Sequence, residues 1–115
     1  MSSPKQREEF NVLLVECIHE TLVTLLSLQV AEALYTRLET SYSVSKDEIP
    51  YRLDTLLSTL ENTFGASAKI VEKAIAKKFY LRLGLDFTNN PQSTLVDYVE
   101  QAKLTLQSRS ASTER

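Results

Sequence analysis

From Glu8 to about Leu26 the chain carries no glycine or proline, and its apolar residues recur at helical spacing. The few polar positions, Asn11, Glu16, Glu20 and Thr24, fall on one common face. Within this run VLLVECI is apolar on nearly every side. Such a helix belongs either at the centre of a bundle or under a second subunit. Ser27 breaks or caps the run. LQVAEALYTRLETSY then resumes it, with Leu28, Ala31, Leu34, Tyr35 and Leu38 as the apolar stripe and Gln29, Glu32 and Glu39 toward water. One uninterrupted helix over 8–41 would be long for such a chain, so two are expected.

Residues 42–49, YSVSKDEI, read as a connector. Ser45 and Glu48 have the spacing of a capping box, and Pro50 suits the first turn of a helix over 50–63. That helix lines up Leu53, Leu56, Leu57, Leu60 and Phe64 and stops at Gly65. The next segment, GASAKIVEKAIAKKFYLRLG, lies between the only two glycines of the chain. At 100° steps Ile70, Val71, Ala74, Ile75, Phe79 and Leu81 share a broad apolar arc, and Lys69, Lys73 and Lys77 fall within about 80° of each other on the opposite side. Lys78 and Arg82 interrupt the arc in the last two turns, where the helix dipole favours positive charge and long stems snorkel. Tyr80 leans toward the lysine side and is expected there as an interface anchor. LDFTNNPQS is a turn-rich link. STLVDYVEQAKLTLQS follows as an amphipathic helix with Leu95, Val96, Val99, Ala102 and Leu106 inward.

These patterns predict an all-α protein: a compact, single-domain bundle of about five helices over residues 8–107, with flexible tails at 1–7 and 108–115. The expected core comprises Leu14, Ile18, Leu22, Leu34, Leu38, Leu57, Leu60, Ile70, Ala74, Ile75, Phe79 and Val99. Composition agrees. Two glycines and three prolines in 115 residues are too few for the turns of a barrel or sandwich. With 43% apolar and 24% charged residues, the chain fits an ordinary globular domain. Cys17 is the lone cysteine, so no disulfide forms within the chain, and a reducing compartment is expected. No stretch reaches the roughly 20 apolar residues of a membrane span, and Glu8 and Glu9 spoil a signal-peptide reading. A cytoplasmic location is therefore expected.

Charge is distributed unevenly. Residues 69–82 hold five bases and the single acid Glu72, a balance of +4 inside a chain of formal charge -2. A general nucleic-acid binder is normally more basic overall, which leaves a localised contact. The helix-turn-helix rhythm of 50–64 and 66–83, and the point charges Lys69, Lys73 and Lys77, keep DNA binding as the alternative function. That stripe lacks the Arg, Asn and Gln that usually read bases. A plain solvated face, or contact with an acidic protein partner or second subunit, suits the lysines better.

Catalytic signals are weak. Cys17 and His19 are two residues apart, about 200° around a helix, and cannot serve each other as nucleophile and base. Zinc needs more Cys and His ligands than one of each. The acids are dispersed over helix faces, and GASAK lacks the repeated glycines and Lys-Ser/Thr pair of a phosphate loop. No catalytic, cofactor-binding or metal-binding residues are assigned, and neither a small-molecule substrate nor a membrane partner is expected.

From about Leu22 to Leu85 the chain resembles a small all-helical archaeal domain family, the Nitrosopumilus output domain. The resemblance rests on VAEALYTRLETSYSVSKDEIP and on LDTLLSTLENTFGASAKIVEKAIAKKFYLRLGL. Phe64, Gly65, Ala68, Lys69, Ile70, Glu72, Lys73, Ile75, Leu83, Gly84 and Leu85 carry its signature. The chain departs from the pattern at Ser27, where the family often has glycine. What the resemblance implies is a signal-output or interaction role in archaeal regulatory proteins, without catalytic residues. The expected function is thus a non-enzymatic helical interaction module, homodimeric or bound to another protein, with Lys69, Lys73, Lys77 and Tyr80 as the partner surface.

Overall fold

A computed structural model describes the backbone of residues 4–113 and the side chains of residues 7–108. Five α-helices follow one another: α1 (Pro4–Leu25), α2 (Leu28–Tyr42), α3 (Leu53–Phe64), α4 (Ala68–Leu83) and α5 (Leu95–Thr113). Short 3-10 helices at Lys46–Tyr51 and Gly65–Ser67 lead into α3 and α4. Among the described residues there are no strands, and the all-α bundle expected from the periodicity is the observed fold.

Local chemistry accounts for each break. The Ser27 hydroxyl accepts a hydrogen bond from Val30 N at 3.1 Å, so the chain stops after α1 and restarts as α2. Residues 8–41 are therefore two helices. Ser43 ends α2 in the left-handed conformation at φ 56°, and Val44 N donates to Leu38 O at 3.0 Å. Gly65 adopts φ 61°, ψ −135°, a region open to glycine and closed to residues with a Cβ; Gly84 closes α4 at φ 74°. At the start of α5, Thr94 N donates to Asp97 Oδ2 at 2.9 Å, and Asp97 N donates back to Thr94 Oγ1 at 3.3 Å.

Three boundaries differ from the sequence reading. Ser45 and Glu48 do form a cap, with Glu48 Oε1 accepting from Ser45 N at 3.0 Å and from Ser45 Oγ at 2.9 Å while Glu48 N donates to Ser45 O at 2.9 Å. The two bonds donated by Ser45 hold the Glu48 carboxyl below the usual carboxylate value. The helix they start is the 3-10 turn, which absorbs Pro50, so α3 begins at Leu53 and not at 50. Helix α1 is already helical at Pro4, the first described residue. Helix α5 continues to Thr113. Residues 4–7 and 108–113 are thus helical where tails were expected; the tail positions 1–3, 114 and 115 lie outside the described residues.

The core runs through the middle of the bundle. Leu14, Ile18 and Leu22 of α1 meet Leu34 and Leu38 of α2, Leu56 and Leu60 of α3, Ile75 and Phe79 of α4, and Leu95 and Val99 of α5, all buried. Phe10 packs edge-on against Phe79 at 5.0 Å between ring centroids. Helix α4 is the hub, touching α1, α3 and α5. Its one acid, Glu72, reaches across to accept from Leu95 N at 3.3 Å, placing negative charge at the amino end of α5. Leu57 is half-buried against the core rather than within it, and Ala74 is also half-buried. Ile70 was expected inside and is 67% exposed.

Candidate docking surface

The exposure of Ile70 follows from how α4 is rotated. Its buried side consists of Ala68, Val71, Ile75, Ala76, Phe79 and Tyr80. The arc read from the sequence includes Ile70, Ala74 and Leu81 but leaves out Ala68 and Ala76, and so tilts toward Ile70 and Leu81. Counting the small residues Ala68 and Ala76 as inward moves the centre of the arc, and Ile70 and Leu81 then fall about half a turn from it. Leu81 is 77% exposed.

The same rotation removes Tyr80 from the expected partner surface. It is only 6% exposed, and its hydroxyl donates to Tyr98 O at 2.6 Å. Burial, with the neighbouring Tyr98 second, pushes its phenol up from the ordinary value. Tyr80 packs edge-on against Phe87 and Tyr98, with centroids at 5.6 and 6.0 Å. It is a core residue joining α4 to α5. Its partner is a backbone carbonyl of a different helix, which no local pattern reveals.

The five bases of α4 separate into two sets. Lys78 and Arg82 face α1. Lys78 Nζ lies 3.0 Å from Glu20 Oε1, Arg82 Nη1 3.2 Å from the same oxygen, and Arg82 Nη2 3.5 Å from Glu16 Oε1. The hydrogen bond from Lys78, with help from Arg82, holds the Glu20 carboxyl below its usual value. These pairs also fix α1 and α4 as antiparallel neighbours, since residues 16 and 20 meet 82 and 78 in reverse order. Lys69, Lys73 and Lys77 form the second set. Among the described residues, none of the three is within ion-pair distance of an acid. Lys69 and Lys77 are exposed and Lys73 is half-buried.

Ile70, Ala74, Lys77 and Leu81 run along the outer side of α4 at steps of four, three and four residues. This is the spacing of a seam that another helix can follow. Lys73 borders the seam, and Lys69 sits at its rim. The strip is about 17 Å long at the α-helical rise of 1.5 Å per residue. Small Ala74 between two large apolar residues makes a notch along it.

The other clusters of polar and aromatic groups pair with their own neighbours. A cavity of about 520 Å³ opens beside the α4–α5 link, lined in part by Asp86, Asn90, Asp97, Tyr98 and Thr105. Asp97 is held by the α5 cap, and the Tyr98 hydroxyl accepts from Asn90 N at 2.8 Å while donating to Asn90 O at 3.1 Å. The His19 ring stacks on Tyr35, with its Nδ1 at 2.9 Å from the Tyr35 hydroxyl. Lys46 Nζ lies 4.9 Å from the centre of the same Tyr35 ring, which ties the 3-10 turn to α1 and α2. Burial raises the Tyr35 phenol to about 12. Cys17 is fully buried, and burial pushes its thiol up, away from the reactive thiolate. Among the described residues, no group of three or more His, Cys, Asp or Glu is placed to hold a metal ion, and no helix is long and apolar enough to cross a membrane.

No family model, no curated protein and no solved structure matches this chain.

Proposed function

We propose that this chain works by binding: it is a non-enzymatic helical interaction module, and the outer side of α4 is the surface it offers. The observation that carries this reading is the coincidence of two well-exposed aliphatic residues, Ile70 and Leu81, with three lysines that have no acidic partner among the described residues. A solvated helix face has no use for aliphatic side chains at seam spacing, whereas a docking face needs them. The resemblance of the segment around FGASAKIVEK to the archaeal output domain points the same way. A signal-output role in a reducing, cytoplasmic setting fits the lone, buried Cys17.

A second copy of the chain is one occupant this reading admits. Duplex DNA is the alternative, supported by the short turn Gly65–Ser67 between α3 and α4. Against DNA stand the aliphatic residues among the lysines and the absence of Arg, Asn and Gln from the strip.

A photo-crosslinking amino acid in place of Lys77, expressed in native cells, tests the proposal; Arg37 on the exposed face of α2 serves as the control position. The expected result is a discrete protein adduct at 77, absent at 37 and lost when Ile70→Ser and Leu81→Ser are added. An adduct twice the 13.0 kDa chain mass identifies a homodimer. A nuclease-sensitive adduct favours DNA, and equal labelling at 37 and 77 defeats the docking assignment.

A further inference from the structure

Resting on the reading of α4 as a docking face, we infer that its occupant is an acidic amphipathic helix of a partner protein. The strip is narrow, one helix wide, and about three turns long. Its centre is apolar: Ile70, Ala74 and Leu81, with the aliphatic stem of Lys77 between them. The charges that α4 itself sets along the strip are all positive, because Glu72, the only acid in α4, is turned inward to the amino end of α5. A complementary segment presents large apolar residues at positions i, i+3 or i+4, and i+7, one of them over the Ala74 notch. It carries Asp or Glu beside that row, opposite Lys73, Lys77 and Lys69.

The surroundings of the strip select against broader anionic partners. Glu16 and Glu20 flank it on the α1 side, with side chains 52% and 42% exposed. Their charge is balanced locally by Lys78 and Arg82. A membrane surface or duplex DNA extends well beyond one helix width and meets these carboxylates and the negative remainder of the chain. A single helix stays within the positive strip. The apolar seam gives affinity that survives screening, and the lysines fix orientation and speed encounter.

The test uses the full chain and defined probes. The first probe is a fluorescent 20-residue helical peptide with Leu at heptad a and d positions and Glu at e and g. The others are a scrambled peptide of identical composition, vesicles rich in phosphatidylglycerol, and a 20-base-pair duplex. Fluorescence anisotropy at physiological salt, or vesicle co-sedimentation, reads binding. The ordered peptide is expected to bind at least tenfold more tightly than the scrambled one. Lys69→Glu, Lys73→Glu and Lys77→Glu together weaken it at least tenfold, and so do Ile70→Ser and Leu81→Ser together. Arg37→Glu leaves it unchanged. Lys73 is half-buried and the other positions are exposed; circular dichroism verifies that each variant is folded. The inference is overturned if the ordered peptide does not bind, if scrambling or both sets of substitutions leave binding unaltered, or if vesicles or duplex bind more tightly. A site-specific adduct at residue 77 alongside failure of the peptide retains the docking face and removes this partner class; loss of both removes the face as well.

Discussion

Lys78 and Arg82 belong to the same helix and the same basic run as Lys69, Lys73 and Lys77, yet the two sets do different physical work. The first set closes the α1–α4 contact through Glu16 and Glu20. The second has no acidic partner among the described residues, with exposed Ile70 and Leu81 beside it. A helix can therefore look like one basic element in the sequence and divide into a structural edge and a free edge in the fold. Rotation about the helix axis makes that division, and it is set by which side the neighbouring helices bury.

The largest expected difference is between the inner and outer sides of α4. Phe79 is fully buried, and Phe79→Ala should cost about 3–5 kcal/mol in denaturant-unfolding free energy. Ile70→Ser and Leu81→Ser should each stay within about 0.5 kcal/mol, the range of ordinary surface changes. A large loss from Ile70→Ser would mean that the helix is rotated toward the arc first read from the sequence.

The two glycines that bracket α4 provide a second comparison. Among the described residues no atoms crowd a Cβ at either site, so backbone conformation decides. Gly84→Ala should cost about 1–2 kcal/mol, the usual left-handed penalty. Gly65→Ala, at φ 61° and ψ −135°, should cost more, up to about 3 kcal/mol. Equal melting shifts would contradict the assigned conformation at Gly65.

The inner side also contains one imperfect position. Thr21 on α1 is buried, and among the described residues its hydroxyl has no hydrogen-bond partner. Thr21→Val should raise stability by about 1 kcal/mol, because it removes a desolvated polar group while keeping the shape. A destabilised variant would show that the hydroxyl has a partner after all.

The smallest effect is electrostatic. Glu20→Gln should lower stability slightly at neutral pH, and less in high salt. The carboxyl is held below the ordinary carboxylate value in the folded chain, so its contribution is present above that ordinary value and is lost as pH falls through the lower folded one. Wild type and variant should thus differ most near neutrality and converge in acid. A difference that persists in acid would assign the effect to packing.

How far the sequence discloses this arrangement depends on where each determinant lies. Ser27, Ser45 with Glu48, and Gly65 act on residues within four positions, and the breaks they cause are legible locally. Pro50 was compatible both with a first α-helical turn and with the 3-10 turn it occupies, which displaced the start of α3 to Leu53. The orientation of α4 is non-local. Ala68 and Ala76 carry little hydrophobic weight in a pattern, yet they are buried because other helices press close. Tyr80 turns inward toward a carbonyl 18 residues away. The lysine edge is therefore legible, whereas the pattern places Ile70 in the core and Leu81 in the apolar arc, and both are exposed beside the lysines. The cap Thr94–Asp97 was readable as T-x-x-D, and it places α5 where Tyr98 can receive that hydroxyl.

Amine acetylation of the full chain, followed residue by residue with mass spectrometry before and after addition of the acidic amphipathic peptide, tests the division of α4 most directly. Lys69, Lys73 and Lys77 should react readily in the free protein, with Lys78 slower because of Glu20. The peptide should then protect the three outer lysines and leave Lys78 and Lys103 unchanged. Uniform reactivity of all four α4 lysines, or protection that spares Lys73 and Lys77, would contradict the account.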